Sequence, residues 1–248
     1  MELTVGGVPV AEYVLTPTLD HTLSPRPYLH PVRTFGGVII TDAEPEDHRW
    51  HLGLSLAMQD VNGTNLWGGR TYVRGQGYTW LDDHGTITHE GFESPGVQRL
   101  SWRDSDGKVL LDERRTITTS LVDSRSWQLS LGWELTAPGE RVVLGSPATN
   151  GRPDGAGYGG CFLRLAPGPA HVTAGSLSGE AEVNGCSEPT VVWRSAQFEV
   201  TVTGADRWFV RTGIYPGLCA AWAFEEVRVI EAGQTWAGQF SMVVSDVQ

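Results

Sequence analysis

The chain has 248 residues, and its 18 Lys+Arg against 29 Asp+Glu give a formal net charge of −11 at pH 7. With a single lysine, Lys108, and scattered arginines, it lacks the clustered basic surface that phosphate backbones require, which argues against nucleic acid as a partner. A 40% hydrophobic, 19% charged composition is that of a globular protein, and no apolar run approaches the roughly 18 to 20 residues that span a bilayer.

The opening residues, Met1-Glu2-Leu3-Thr4, carry no basic flank followed by an apolar signal region, so a cytoplasmic location is expected. Leu3 and Val5 before Gly6-Gly7, with Val8 and Val10 after, predict a β-hairpin whose two glycines take positive φ. Asp104-Ser105-Asp106-Gly107 separates Val97 to Trp102 from Lys108 to Leu121 and predicts a second hairpin with Asp and Gly as turn residues. From Ser126 to Leu135, Trp127, Leu129, Leu131, Trp133 and Leu135 alternate with polar residues or glycine, the pattern of a half-buried strand. Further strands are expected at Glu199 to Thr203, Arg207 to Arg211, Val227 to Glu231 and Thr235 to Val244, and no long helix is expected. Many short strands with frequent turn signals predict an all-β sandwich or barrel, and residues 1–248 are expected to form one domain. Cys161, Cys186 and Cys219 are odd in number and widely spaced, so they are read as reduced packing residues.

Two segments break the strand pattern and are expected to hold the chemistry, Ser24 to Gly69 and Gly145 to Gly160. In Arg26-Pro27-Tyr28-Leu29-His30-Pro31-Val32-Arg33-Thr34, an extended chain puts Arg26, Tyr28 and His30 on one face, which suits either sugar hydroxyls or a carbonyl, or a strand-edge arginine beside a space-filling tyrosine. In Asp47-His48-Arg49-Trp50-His51-Leu52-Gly53, two histidines three apart meet on one face of a helical turn. Asp47 then orients an imidazole as a general base or completes a metal site, for which no third ligand among His30, Asp60 and Glu113 is fixed. Asp60-Val61-Asn62-Gly63-Thr64-Asn65-Leu66-Trp67-Gly68-Gly69 reads either as a tight turn or as a pocket wall. In the second case Trp67 stacks on a pyranose and Asn62 takes a hydroxyl. Asn150 and Tyr158 lie in the glycine-rich GSPATNGRPDGAGYGG. Its glycines suit close backbone approach or a bulge rather than a dinucleotide loop, because a strand and not a helix follows at Cys161 to Leu165. Arg211, in Arg211-Thr212-Gly213-Ile214-Tyr215-Pro216-Gly217, is an anion or hydroxyl clamp or the partner of a carboxylate.

As an ordered set, RPYLHPVRT, DHRWHLG, DVNGTNLWGG, GAGYGG and the closing RTGIYPGLCAAWAF (Arg211 to Phe224) resemble the PmoA-like family, a bacterial group of unknown function that carries a methane-oxygenase label. That family usually reads Asp-His-Pro-His-His-Arg-Gly at the second motif. Arg49 and Trp50 stand here for Pro and one His, which keeps Asp47, His48 and His51 but removes a third histidine. Membrane methane oxygenase subunits are bundles of spanning helices, so a strand-rich chain does not carry that chemistry. The resemblance implies a galactose-mutarotase-like antiparallel β-supersandwich, whose members epimerise, hydrolyse or cleave carbohydrates with a His and a carboxylate. Glu113 and Asp47 are the candidate carboxylates.

The expected function is therefore acid–base chemistry on a sugar or keto-sugar. Asp47, His48 and His51 are the catalytic candidates, and Arg26, Tyr28, His30, Asn62, Trp67, Asn150, Tyr158 and Arg211 the substrate-binding ones. A small-molecule carbohydrate is the expected partner, with no membrane, no metal and no cofactor, and with a homodimer left open. A non-catalytic carbohydrate-binding module and a metal-dependent oxidoreductase are the alternatives.

Overall fold

The computed structural model describes residues 1–247. Two antiparallel sheets carry the fold. The first has seven strands in the spatial order Glu2–Val5, Val8–Val14, Tyr28–Val32, Leu54–Ala57, Gly160–Arg164, Gly217–Ala221 and Arg207–Arg211. The second has nine: Leu177–Ser178, Ala170–Ala174, Thr190–Ser195, Phe198–Thr203, Thr235–Asp246, Ser126–Thr136, Val109–Leu121, Val97–Arg103 and Thr86–Ser94. Among the described residues the only helical pieces are the 3-10 turn His21–Leu23 and the four-residue helix Glu180–Val183. No helix there is long and apolar enough to cross a membrane.

The local chemistry accounts for these elements. Val5 pairs with Val8 across Gly6 and Gly7, both at positive φ, so the first hairpin forms as its two glycines require. At the second, the Asp104 carboxylate accepts from the amides of Asp106 and Lys108 at 3.0 and 2.8 Å and closes the turn before Val109–Leu121. The expected strand from Ser126 runs to Thr136, and its five large apolar side chains are buried. Burying each contributes on the order of 1.5–3 kcal/mol. Cys161, Cys186 and Cys219 are free thiols.

The inward faces of the two sheets meet in one hydrophobic core that runs from Val5 to Val244. Glu113 lies within this layer, on the inward-facing positions of Val109–Leu121. There Arg115 donates to both its carboxylate oxygens at 2.6 and 2.8 Å, and the Trp102 indole donates at 2.7 Å. That placement removes Glu113 from the candidate catalytic carboxylates, since it is buried with both oxygens engaged inside the sandwich.

Three adjacent strands of the first sheet, Leu54–Ala57, Gly160–Arg164 and Gly217–Ala221, are buried at every position rather than at alternate ones. A strand buried on both faces needs a second cover. On the outer face Ala57, Phe162, Phe209, Cys219 and Ala221 form a smaller apolar cluster with Trp67, Tyr158 and Phe224, and the loops that supply this cover enclose the cleft described next.

Candidate functional site

Side chains from five segments outside the two main sheets and from the strand Arg207–Arg211 enclose a cleft of about 490 Å³ on this outer face. Trp50, Trp67, Tyr78, Trp80, Tyr158, Phe209 and Tyr215 wall it, and His48, His51, Arg70, Arg152 and Arg211 supply its polar groups. A wider hollow of about 800 Å³ lies beside the N-terminal hairpin, but no His, Arg or Trp side chain lines it, and it is at the smaller cleft that several of the residues singled out in the sequence gather.

The Asp47-to-Gly53 segment builds the titratable corner through two successive turns rather than a helix. The His48 amide donates to the Pro45 carbonyl at 3.1 Å, and the His51 amide to the His48 carbonyl at 2.9 Å. Three-residue spacing thereby brings the imidazoles together, stacked with centroids 4.7 Å apart and planes 19° apart. Nδ1 of His48 lies 2.9 Å from Asp47 Oδ2. Arg164 reaches the same carboxylate through Nη2, at 3.1 and 3.3 Å, and His51 Nδ1 through Nη1, at 3.3 Å.

These contacts fix the proton positions. A guanidinium only donates, so His51 Nδ1 accepts and the neutral ring carries its proton on Nε2. Burial pushes the His51 pKa well below 6.5, and the charges of His48, Arg164 and Arg26 push it the same way. Burial raises the Asp47 carboxyl, but the His48 hydrogen bond and the Arg164 charge outweigh it and hold Asp47 below the usual carboxylate value. An ionised Asp47 only accepts, so His48 donates from Nδ1, and in the neutral ring the lone pair then lies on Nε2. The Tyr215 ring lies 4.7 Å from both imidazoles. Burial raises the pKa of its hydroxyl, so the proton stays on it at neutral pH.

Of the residues singled out in the sequence, His48, His51, Trp67, Tyr158 and Arg211 come together around the cleft, with Asp47 behind His48. Trp67 packs against Tyr158 and Phe162, each at 4.7 Å between centroids. Tyr158 accepts from Gln59 at 2.9 Å and shares a 2.8 Å hydrogen bond with Tyr78. Arg211 lies over Phe209, and its Nη1 is 3.7 Å from Glu180.

Five others are not brought to the cleft. Arg26 is fully buried, does not line the cleft, and spends its guanidinium on the Ser55 hydroxyl and the carbonyls of Leu23, Ser24, Trp50 and Trp67. Tyr28 lies on the strand Tyr28–Val32 and does not line the cleft. His30, on the same strand, bonds Thr41 at 2.9 Å. Asn62 sits at positive φ in a turn and bonds the Arg141 carbonyl and the Val143 amide. Asn150 donates to Asp60 at 3.0 Å. Each has its polar group satisfied by nearby protein or lies on another surface.

The glycines serve the walls. Asn65 Oδ1 accepts from the amides of Trp67 and Gly68, and Gly69, at φ 69°, faces Trp50 so closely that a Cβ there would lie 2.6 Å from the indole. In Gly155 to Gly160, a Cβ at Gly157 or Gly160 would meet the Phe224 or Ala220 carbonyl at 2.4 or 2.1 Å, so the close approach is to the protein's own backbone. Among the described residues no three His, Cys, Asp or Glu side chains are grouped as metal ligands.

A family model described as a family of unknown function (DUF6807) matches residues 1–248. The chain belongs to that family. No curated protein matches the sequence. The sequence motifs do not reach Arg70, Tyr78, Trp80 and Arg164, and they contain Arg152 and Tyr215 without assigning either a role. The one signal available for Arg164 is a charged residue ending an otherwise apolar strand, Gly160–Arg164, that is covered on both faces. Together the corner offers a base at Nε2 of a neutral His48, a neutral donor at His51 Nε2 and a phenol, beside aromatic walls packed in tilted and edge-to-face contacts.

Proposed function

We propose that the protein is a carbohydrate-active enzyme that transfers a proton at a sugar carbon or glycosidic oxygen, in epimerisation, elimination or hydrolysis. The observation that carries this reading is the 2.9 Å hydrogen bond between Asp47 and His48 at the edge of an aromatic cleft. Asp47 holds His48 in the tautomer whose Nε2 takes a proton, the role a carboxylate plays behind a catalytic imidazole. His51 Nε2–H and the Tyr215 hydroxyl are the donors for negative charge that develops on a sugar oxygen. Trp50 and Trp80 offer flat faces for the C–H side of a pyranose. The two antiparallel sheets support kinship with the galactose-mutarotase-like superfold, as does the PmoA-like motif order in the chain.

A non-catalytic carbohydrate-binding module is the second reading. It is favoured by the engagement of both Asp47 oxygens with Arg164, a bond of the kind that also serves structure alone. Turnover of a panel of sugars and 3-keto sugars by His48→Gln and His51→Gln decides between them. The enzymatic reading expects kcat of His48→Gln to fall by about 10²–10⁴-fold, the usual contribution of a general acid or base. Unchanged rates in both variants overturn it.

A further inference from the structure

The cleft contains cations and no anions of its own. Arg70, Arg152 and Arg211 line it, and no Asp or Glu side chain does. This is unexpected in a chain whose acidic residues exceed its basic ones by 11 and in which most arginines sit against a carboxylate. Arg211 has Glu180 nearby, but neither Arg70 nor Arg152 forms an ion pair among the described residues.

The two unpaired guanidinium groups are positioned by neutral surfaces. Arg152 lies over the Tyr78 ring at 4.8 Å and donates to a tyrosine hydroxyl, that of Tyr78, which is itself held by Tyr158 at 2.8 Å. Arg70 lies 5.8 Å from the Trp80 ring centroid. Stacking on an aromatic face orients a guanidinium while leaving its in-plane N–H groups free, and those groups match a carboxylate or phosphate in a planar, bidentate fashion. An uncompensated positive pocket inside an acidic protein also attracts anions selectively.

We propose that the ligand of this cleft is a sugar bearing an oxyanion, a carboxylate or a phosphate ester, gripped by Arg70 and Arg152 while its ring faces the His48 corner. The sugar part rests on the reading given above, whereas the charge rests on the arginines.

The experiment is a calorimetric titration of the full chain with D-galacturonate, D-glucuronate and glucose 6-phosphate. Neutral galactose and glucose, and acetate and inorganic phosphate alone, complete the series. At least one charged sugar is expected to bind about tenfold or more tighter than its neutral counterpart, the usual worth of a charge-assisted hydrogen bond. The preference should shrink as salt rises from about 0.05 to about 0.5 M. The uronate and phosphate arms separate the two oxyanions. Arg152→Gln and Arg70→Gln, each checked for an unchanged circular dichroism spectrum, are expected to lose the preference for the charged sugar over its neutral counterpart. Neutral sugars binding as well as charged ones overturns the proposal and leaves the carbohydrate reading intact. Acetate or phosphate binding as tightly as the charged sugars overturns it together with the carbohydrate reading, and binding of no probe has the same result.

Discussion

Nδ1 of His48 donates and Nδ1 of His51 accepts, although the two rings stack 4.7 Å apart. One Arg164 guanidinium enforces the difference, because it bonds Asp47 on one side and His51 on the other. The pair thus presents unlike functions from like residues.

Asp47→Asn tests this division. An amide in place of the carboxylate no longer favours the Nδ1–H tautomer of His48, and kcat on any sugar that turns over is expected to fall about 10²–10⁴-fold with KM little changed. Steady-state kinetics measures it; an unaltered kcat removes Asp47 from the mechanism.

Stability should depend on pH through His51. Its folded pKa lies well below 6.5, so below about pH 6.5 the unfolded chain binds a proton that the folded one refuses. Stability is then lost as pH falls, by up to about 1.4 kcal/mol per pH unit. Half-buried His30, whose pKa burial also lowers, adds a smaller effect of the same sign. Urea denaturation between pH 7.5 and 5 measures the slope, and His51→Phe should flatten most of it; an equal slope in the variant refutes the assignment.

Gly69→Ala is expected to destabilise by about 1–3 kcal/mol, since φ 69° is strained for alanine and its Cβ would strike the Trp50 indole. Chemical denaturation gives the cost. Trp50 fluorescence, isolated by comparison with Trp50→Phe, reports displacement of the cleft wall.

Arg26→Lys should not rescue Arg26→Met. An ammonium cannot span a hydroxyl and four carbonyls arranged around a planar fork, and the stranded buried acceptors cost about 1–3 kcal/mol each before relaxation. Both variants are expected to unfold at markedly lower denaturant concentration than the parent chain, and a lysine variant of parental stability contradicts the role.

Much of the sandwich was legible because alternation reports one buried face directly, as at Ser126–Thr136, and glycine pairs report hairpins, as at Gly6-Gly7. The His48 and His51 pairing was legible for a similar reason, since a spacing of three closes in a turn as well as in a helix. Arg26 was misread because nothing local distinguishes a guanidinium that faces a ligand from one that faces carbonyls 24 and 41 residues away. Asn62 and Asn150 were misread for the matching reason, their partners being Arg141, Val143 and Asp60. Arg152, Tyr78 and Tyr215 reach the cleft only through loop packing, which no periodicity records.

Arg26 fastens carbonyls from three separate stretches, Leu23 and Ser24, Trp50, and Trp67, to a single rigid plate. The cleft's floor and one wall therefore move as a block, so a guest meets a preshaped receptor whose ordering cost was met during folding. At the rim, by contrast, Trp80 and Ile214 stand 52% and 72% exposed, so packing holds them least among the apolar residues that line the cleft.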